Sequence, residues 1–404
     1  MKKYILFTLI LSLSCALGYS YNNKGFIYGK VTTISGKSYQ GAIRWGEEEV
    51  FWFDFFNGTK TDDFFSRYIH SRDQNSSHDS AFRQLDGFIA PSKRYNNRKQ
   101  FNVEFGYIKS IVRFSSDLFY VTMQNDKRFK VENGSNDFDS DIYILDKGIG
   151  EVKLSIREIQ SITFIQESEE FQSFGQALYG EVATRNGDKF TGYVQWDHDE
   201  RLTTDILDGD SDEGKMKIPF GNIKSIKSKY DGSYITLKTG RKIFLSNSND
   251  VNNRNKGVIV NIPDVGRVDI PWKQFTSVNF FMDHDNSGDG YDYYNDVKRL
   301  VGTVKSKNKK SHIGGVVYDL DENWNFEILD GKSNGISYMI PFRNIKSIIP
   351  ENSNSSEVIL KYGETFHLAD GNDVNNENSG ILIFTNKEAP LYIDWKQLGV
   401  ITFR

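Results

Sequence analysis

Cysteine is nearly absent from this chain of 404 residues: Cys15 stands alone, so no disulfide can form within it and a disulfide-stapled scaffold is excluded. Proline is scarce as well, at 7 residues, which argues against a Pro-rich low-complexity chain. No apolar run approaches the ~20 residues that a spanning helix needs, so the sequence predicts no transmembrane helix. Neither sign of charge dominates. The 50 Lys and Arg against 54 Asp and Glu leave a net charge of −4, which speaks against a nucleic-acid partner. What is present is 38% hydrophobic and 14% aromatic, enough apolar material for packed cores. At roughly 100–200 residues per domain, the length suggests two to four domains.

The beginning of the chain reads as an export signal. Lys2 and Lys3 precede an apolar run from Tyr4 to Leu13, and Ala16-Leu17-Gly18 supplies the small-x-small pattern of a signal peptidase site. Residues 1–18 are thus read as a signal peptide, which sends the mature protein to the periplasm, the cell surface or the extracellular space. Cys15 offers an alternative as the lipid-bearing first residue of a lipoprotein, with membrane contact through that anchor only. Ser14 suits such a site, whereas Ser12 and Leu13 reverse its usual large-then-small order. The plainer reading is a small apolar residue in a removed leader.

Self-similarity organises the rest. Tyr179–Gly209 aligns with Val301–Gly331 without a gap: Gly180 meets Gly302, Gly192 meets Gly314, Trp196 meets Tyr318, and both end in Ile-Leu-Asp-Gly. Tyr28–Gly58 joins them with Gly29, Gly41, Trp45 and Asp54 in register, making three copies of one unit. A nonapeptide then recurs twice per copy: VEFGYIKSI from Val103, LSIREIQSI from Leu154, IPFGNIKSI from Ile218, IPWKQFTSV from Ile270, IPFRNIKSI from Ile340 and IDWKQLGVI from Ile393. Each has large apolar residues at positions three, six and nine. The middle trio reads as one tight turn and its flanks as short strands.

Between these signatures the pattern is that of hairpins. Phe190, Val194 and Trp196 alternate with Thr191, Tyr193 and Gln195 as in a half-buried strand, and Asn186-Gly187 and Thr239-Gly240 mark tight turns. The expected fold class is all-β. A half-repeat of about 50 residues, its last two strands joined by one helical turn, resembles an SH3-like or Sm-like small barrel. That resemblance implies three tandem copies of a double small β-barrel, six SH3-like barrels in all, since a barrel of this size is marginal alone and gains from fusion. It names no particular family and implies no function. The copies are expected at residues 24–166, with an insertion at 59–100, at 177–281 and at 299–404, and an acidic Asp/Gly/Asn linker at 282–298.

Two stretches invite a ligand. The copy-one insertion is polar and carries Tyr68, His70, Arg72, His78 and Arg83, candidate binding residues in a loop long enough to be either functional or disordered. The linker places Asp285, Ser287, Asp289 and Asp296 at the first, third, fifth and twelfth positions of a calcium loop, with Gly290 sixth. Against calcium, Asp292 occupies the usual apolar eighth position and the flanks read as strands, so a solvated acidic linker is the plainer reading. Asn136-Asp137, Asn249-Asp250 and Asn372-Asp373 recur as expected Asx turns. Asp197, Asp199 and Glu200, with Asp319, Asp321 and Glu322, read as a solvated face, and Lys305, Lys307, Lys309 and Lys310 as a protected sheet edge.

Catalytic motifs fail on their context. Gly331-Lys332-Ser333-Asn334-Gly335 has the spacing of a nucleophile elbow but occupies a hairpin tip instead of a strand–turn–helix. The six histidines show no metal-binding pair spacing. No catalytic residue is assigned. The expectation is a non-enzymatic cell-envelope protein, a scaffold or multivalent binding module for an envelope polymer or partner protein. The alternatives are an envelope hydrolase with its site in the insertion, and a calcium-stabilised structural protein.

Overall fold

The computed structural model describes residues 23–61, 99–132, 138, 140–166, 171–281, 288–385 and 390–404. Alternating apolar residues and frequent turn signals produce antiparallel strands throughout. The helical residues are single 3-10 turns of three to five residues, and among the described residues no helix is long and apolar enough to cross a membrane.

Copy one contributes β1 (Tyr28–Thr33), β2 (Ser38–Trp45), β3 (Phe55–Lys60), β4 (Lys99–Glu104), β5 (Ile108–Arg113), β6 (Leu118–Met123), β7 (Arg128–Glu132), β8 (Asp141–Asp146), β9 (Gly150–Ser155) and β10 (Ile159–Phe164). Copy two contributes β11 (Tyr179–Thr184), β12 (Lys189–Trp196), β13 (Ile206–Ser211), β14 (Gly214–Pro219), β15 (Ile223–Lys229), β16 (Gly232–Leu237), β17 (Lys242–Ser246), β18 (Val258–Ile262), β19 (Gly266–Ile270) and β20 (Phe275–Phe280). Copy three contributes β21 (Val301–Ser306), β22 (Ser311–Val317), β23 (Ile328–Ser333), β24 (Ile336–Pro341), β25 (Ile345–Pro350), β26 (Ser355–Leu360), β27 (Thr365–Ala369), β28 (Ile381–Phe384), β29 (Leu391–Ile393) and β30 (Leu398–Phe403).

The ladder of copy one runs β4-β3-β7-β6-β5-β10-β1-β2-β8-β9. Pair by pair, copy two repeats it as β14-β13-β17-β16-β15-β20-β11-β12-β18-β19. Copy three gives β24-β23-β27-β26-β25-β30-β21-β22-β28-β29. The three copies read in the sequence are thus three copies of one strand order. Antiparallel pairing of β19 with β24 carries the sheet from copy two into copy three.

The recurring nonapeptide makes the same turn at all six places. Phe105–Tyr107, Ile156–Glu158, Phe220–Asn222, Phe342–Asn344 and Trp395–Gln397 are 3-10 turns, and at Trp272–Gln274 the Phe275 N–H donates to the Trp272 carbonyl at 3.1 Å. The turn falls one residue earlier than the middle trio. It joins strands at opposite ends of a five-strand run, β4 to β5 for instance. Laid flat at ~4.8 Å per strand, those ends would stand roughly 19 Å apart, beyond the ~15 Å that the chain from Glu104 to Ile108 can reach. The run must therefore coil. Its ends are not joined by ladder hydrogen bonds among the described residues, so the sheets stay open.

The glycine pairs found by alignment face each other across the first hairpin of each copy: Gly29 and Gly41, Gly180 and Gly192, Gly302 and Gly314. A Cβ at any of them would lie 1.8 to 2.7 Å from a carbonyl oxygen of the adjoining strand, so only glycine admits the close approach.

Copies two and three share one apolar core, running from Leu178 through Trp196 and Tyr338 to Phe403. Copy one has its own, centred on Trp45, Phe56 and Phe105, and it takes in Tyr294 of the linker and Trp324 and Phe326 of copy three. The half-buried pattern read for β12 holds only in its first part. Tyr193 and Gln195 on its outer side are buried, because Phe53 of copy one packs against Tyr193 at 4.9 Å between ring centroids.

Candidate functional site at the junction of the three copies

One repeat position holds the copies together. Asp54, Asp205 and Glu327 are equivalent residues on the connection that precedes the third strand of each copy. One oxygen of each caps a turn: Asp54 Oδ2 accepts from the N–H groups of Val50 and Phe51, Asp205 Oδ2 from Arg201 and Leu202, and Glu327 Oε2 from Asn323 and Trp324. The other oxygen meets a cation of another copy. Asp54 pairs with Arg201, Asp205 with Arg44 at 2.8 Å, and Glu327 with Lys60. Copies one and three are further joined by Arg343, whose two Nη groups hold both oxygens of Glu104. Every pair of copies is in contact, because copies two and three already share the β19–β24 ladder.

Where the three meet lies a cavity of about 390 Å³. Phe53, Phe55 and Glu104 come from copy one, Tyr193, Asn261, Asp264 and Arg267 from copy two, and Arg343 and Asn344 from copy three. The linker adds Gly288, Asp289, Tyr293 and Tyr294. Phe53 stacks between Phe51 and Tyr193, and the Arg201 guanidinium lies 5.5 Å from its ring. Arg343 sits over Tyr107 and Tyr294, at 5.5 and 6.0 Å. Burial works against its charge, but the Glu104 carboxylate outweighs that cost and holds the guanidinium proton beyond its ordinary range. Arg343 Nε is nevertheless buried without a hydrogen-bond partner.

Asn261 is only 8% exposed, and its carboxamide makes no hydrogen bond among the described residues. Its backbone is paired on both sides, to Tyr193 and to Arg267, so the side chain is held at the cavity by β18 without being used by the sheet. Asp264 and Asp289 lie at the mouth, where burial and then the neighbouring Asp264 push the Asp289 carboxyl up.

A second cleft, of about 410 Å³, opens between copies one and three and is strongly acidic. Asp319, Asp321 and Glu322 offer oxygens within 4.8 Å of one another, and Asp330 and Asp373 line the same wall. Glu351, Glu357 and His367 form a second such group. The solvated face read for the acidic hairpins is corrected here. Asp197 is 1% and Asp319 7% exposed, and Glu200 Oε2 and Glu322 Oε2 are buried without a partner. The cause, in copies two and three, is the Asn-Asp turn and the segment after it, which fold over them: Asp197 accepts from Asn249 Nδ2 and Lys256 N–H, and Asp319 from Ser379 N–H. Burial first, and neighbouring carboxylates second, push Glu200 up to about 9 and Asp250 to about 6, the latter with its Asp208 backbone bond pulling the other way.

Of the residues singled out in the sequence, Tyr68, His70, Arg72, His78, Arg83, Cys15, Asp285 and Ser287 lie outside the described residues. So do Asn136 and Asp137, whereas Asn249–Val251 and Asn372–Val374 are 3-10 turns and not the expected Asx turns: Asn249 donates to Asp197, and Asp250 and Asp373 accept from the distant N–H groups of Asp208 and Asp330. Strands β3 and β4 pair as far as Lys60 and Lys99, so the inserted segment begins after Lys60, not at 59. Asp289 and Asp296 separate: the first faces the junction cavity, and the second pairs with Lys298. The linker tyrosines were missed. Tyr294 is buried, and Tyr291 donates its hydroxyl to the Ile108 carbonyl at 2.8 Å, so their signal was three aromatic residues in an otherwise acidic run. The lysine run is not at a sheet edge, since β21 is paired on both sides and Lys309 sits in the hairpin turn. Compared with known proteins, the chain has no significant match to a family model, a curated protein or a solved structure.

Proposed function

We propose that this chain is an exported, non-catalytic binding protein of the cell envelope, whose three copies form one scaffold with a composite ligand site where they meet. The observation that carries the reading is the junction cavity, lined by all three copies and the linker, where the Asn261 carboxamide has no hydrogen-bond partner among the described residues. The site replaces independent avidity with a single shared pocket. Immobilised full-length chain should retain a defined polymer or protein from fractionated envelope material. Absence of retention would remove the reading.

The leader reading makes the mature chain begin at Tyr19, which mass spectrometry of the exported protein tests. Labelled-lipid incorporation in the native chain, lost in Cys15→Ala, would replace it with the lipoprotein alternative. Each five-stranded run is read as a small SH3-like barrel, supported by the strand order, the joining turn and the glycine approaches. Hydrogen exchange at β4 and β5 tests it, since outer amides that exchange freely would mean an open coil.

A calcium-stabilised reading is favoured by one observation, the unpartnered Glu322 Oε2 beside Asp319 and Asp321 in the acidic cleft. It requires a higher melting temperature in calcium than in chelator, and equal temperatures would eliminate it.

A further inference from the structure

We infer that the junction cavity binds a neutral saccharide segment, with Asn261 as its central polar contact. This rests on the reading of the chain as a binding protein. The argument starts from the groups that folding leaves unused. Asn261 brings both a donor and an acceptor into the cavity from a residue more than nine-tenths buried, and no described residue pairs with them. Arg343 adds little to this, since its Nη groups hold Glu104 and its unpartnered Nε–H is buried out of a ligand's reach. A ligand that displaces water from the Asn261 carboxamide without replacing its bonds costs about 1–3 kcal/mol, so a fitting one must return hydrogen bonds of both kinds.

The walls decide between ligand classes. Phe53, Phe55 and Tyr193 give the cavity an aromatic, apolar wall, and Asp264 and Asp289 line the mouth. A purely apolar ligand would strip Asn261 of water and give nothing back. An anion would meet three carboxylates, Glu104, Asp264 and Asp289, against Arg267 and an Arg343 already paired with Glu104. An organic ammonium would suit the carboxylates and rings but leave the Asn261 donor unmet. A sugar ring carries adjacent hydroxyls that both donate and accept, and apolar C–H faces that pack on aromatic rings. The cavity volume lies within the ~300–1,000 Å³ usual for small-ligand sites. Residues from every copy are needed, which accounts for a site absent from any one copy alone.

The test is titration calorimetry of the full-length mature chain with maltotriose, cellotriose and chitotriose, and with choline as the ammonium probe. At least one trisaccharide should bind at one site per chain. Asn261→Ala should weaken it tenfold or more while the melting temperature changes little, since that side chain makes no hydrogen bond to a described residue. Binding of choline alone, binding of no saccharide, or saccharide binding unaffected by Asn261→Ala would each overturn the inference. Retention of envelope material by Asn261→Ala as well as by the native chain would sink the saccharide site and spare the broader function. Loss of retention by the native chain would sink the broader function itself.

Discussion

Replacing Arg201 with leucine should cost the protein about 3–5 kcal/mol, because it strands a carboxylate between copies one and two. Arg201 is 0% and Asp54 4% exposed, so water cannot take over the lost contact. Asp54→Asn should cost a similar amount for the opposite reason. Its remaining oxygen can still cap Val50 and Phe51, but its amide then points donors at a buried guanidinium. In the double variant both charges are gone and leucine can pack on Phe51 and Phe53, which lie within 5.5 Å of the guanidinium. The double should therefore cost less than the sum of the two singles, by a coupling of about 2–3 kcal/mol. Arg241 and Glu213 supply the control. Their contacts are both 2.6 Å, yet the side chains are 52% and 65% exposed, so Arg241→Leu should cost far less than Arg201→Leu. Urea unfolding followed by tryptophan emission reads this directly, since Trp45, Trp52 and Trp196 are buried. Equal, small costs for Arg201→Leu and Arg241→Leu would refute the argument that the copies are clasped by desolvated charge.

Glu200 gives a pH prediction whose sign is fixed by its buried carboxyl, pushed up from 4.5 to about 9. Between those values the unfolded chain is ionised while the folded chain keeps the proton, so this group's contribution, complete below 4.5, is lost as pH rises towards 9. Glu200→Gln should flatten the fall of melting temperature over that range and raise it at pH 8; an unchanged profile would place the ionisation elsewhere. Gly106→Ala would put a Cβ 2.3 Å from the Tyr294 ring, so it should cost about 1–3 kcal/mol by overpacking, seen as a lower urea midpoint. Replacing residues 62–98 with an Asn-Gly turn should leave the melting temperature nearly unchanged, because β3 and β4 are already paired to Lys60 and Lys99. Loss of a turnover activity in that variant, with the fold intact, would instead support the hydrolase alternative.

Much of the strand order was legible because it is written in periodic signals. The nonapeptide turn, the paired glycines and the hairpin dipeptides each serve a local geometry, and local geometry repeats whenever the unit repeats. The junction was less legible. Asp54, Asp205 and Glu327 repeat, but their cations do not: the residue equivalent to Arg44 is Gln195 in copy two and Val317 in copy three. A pairing made between copies has no periodic signature on its basic side. Asp197 and Asp319 were misread for a related reason. Acidic residues at a hairpin tip look solvated until a turn more than 50 residues along the chain closes over them, as the Asp197–Asn249 and Asp319–Ser379 bonds do. Asn261 looked like any polar residue of an alternating strand, and only its neighbours from other copies make it a buried one.

Within a copy the two five-stranded runs are related by a permutation. Strands β3 to β7 are contiguous in sequence, whereas β1, β2, β8, β9 and β10 are split around them. In ladder order the two match outward from the β5–β10 pair: β6 corresponds to β1, β7 to β2, β3 to β8 and β4 to β9. Both runs place their turn between the outermost strand and the central one, after β4 and after β9. The inner run is thus inserted into a connection of the outer run. Asp54 lies on the entry segment between β2 and β3, Asp205 between β12 and β13, and Glu327 between β22 and β23. That entry must turn sharply to begin a new coil, and a carboxylate accepting two backbone N–H groups fixes the turn. Its second oxygen then faces outward from the connection, where the only way to keep it buried is to meet a cation from another copy. The device that joins two runs within a copy thereby also supplies the charge that joins one copy to the next, and the cavity with Asn261 at its wall lies where those joints converge.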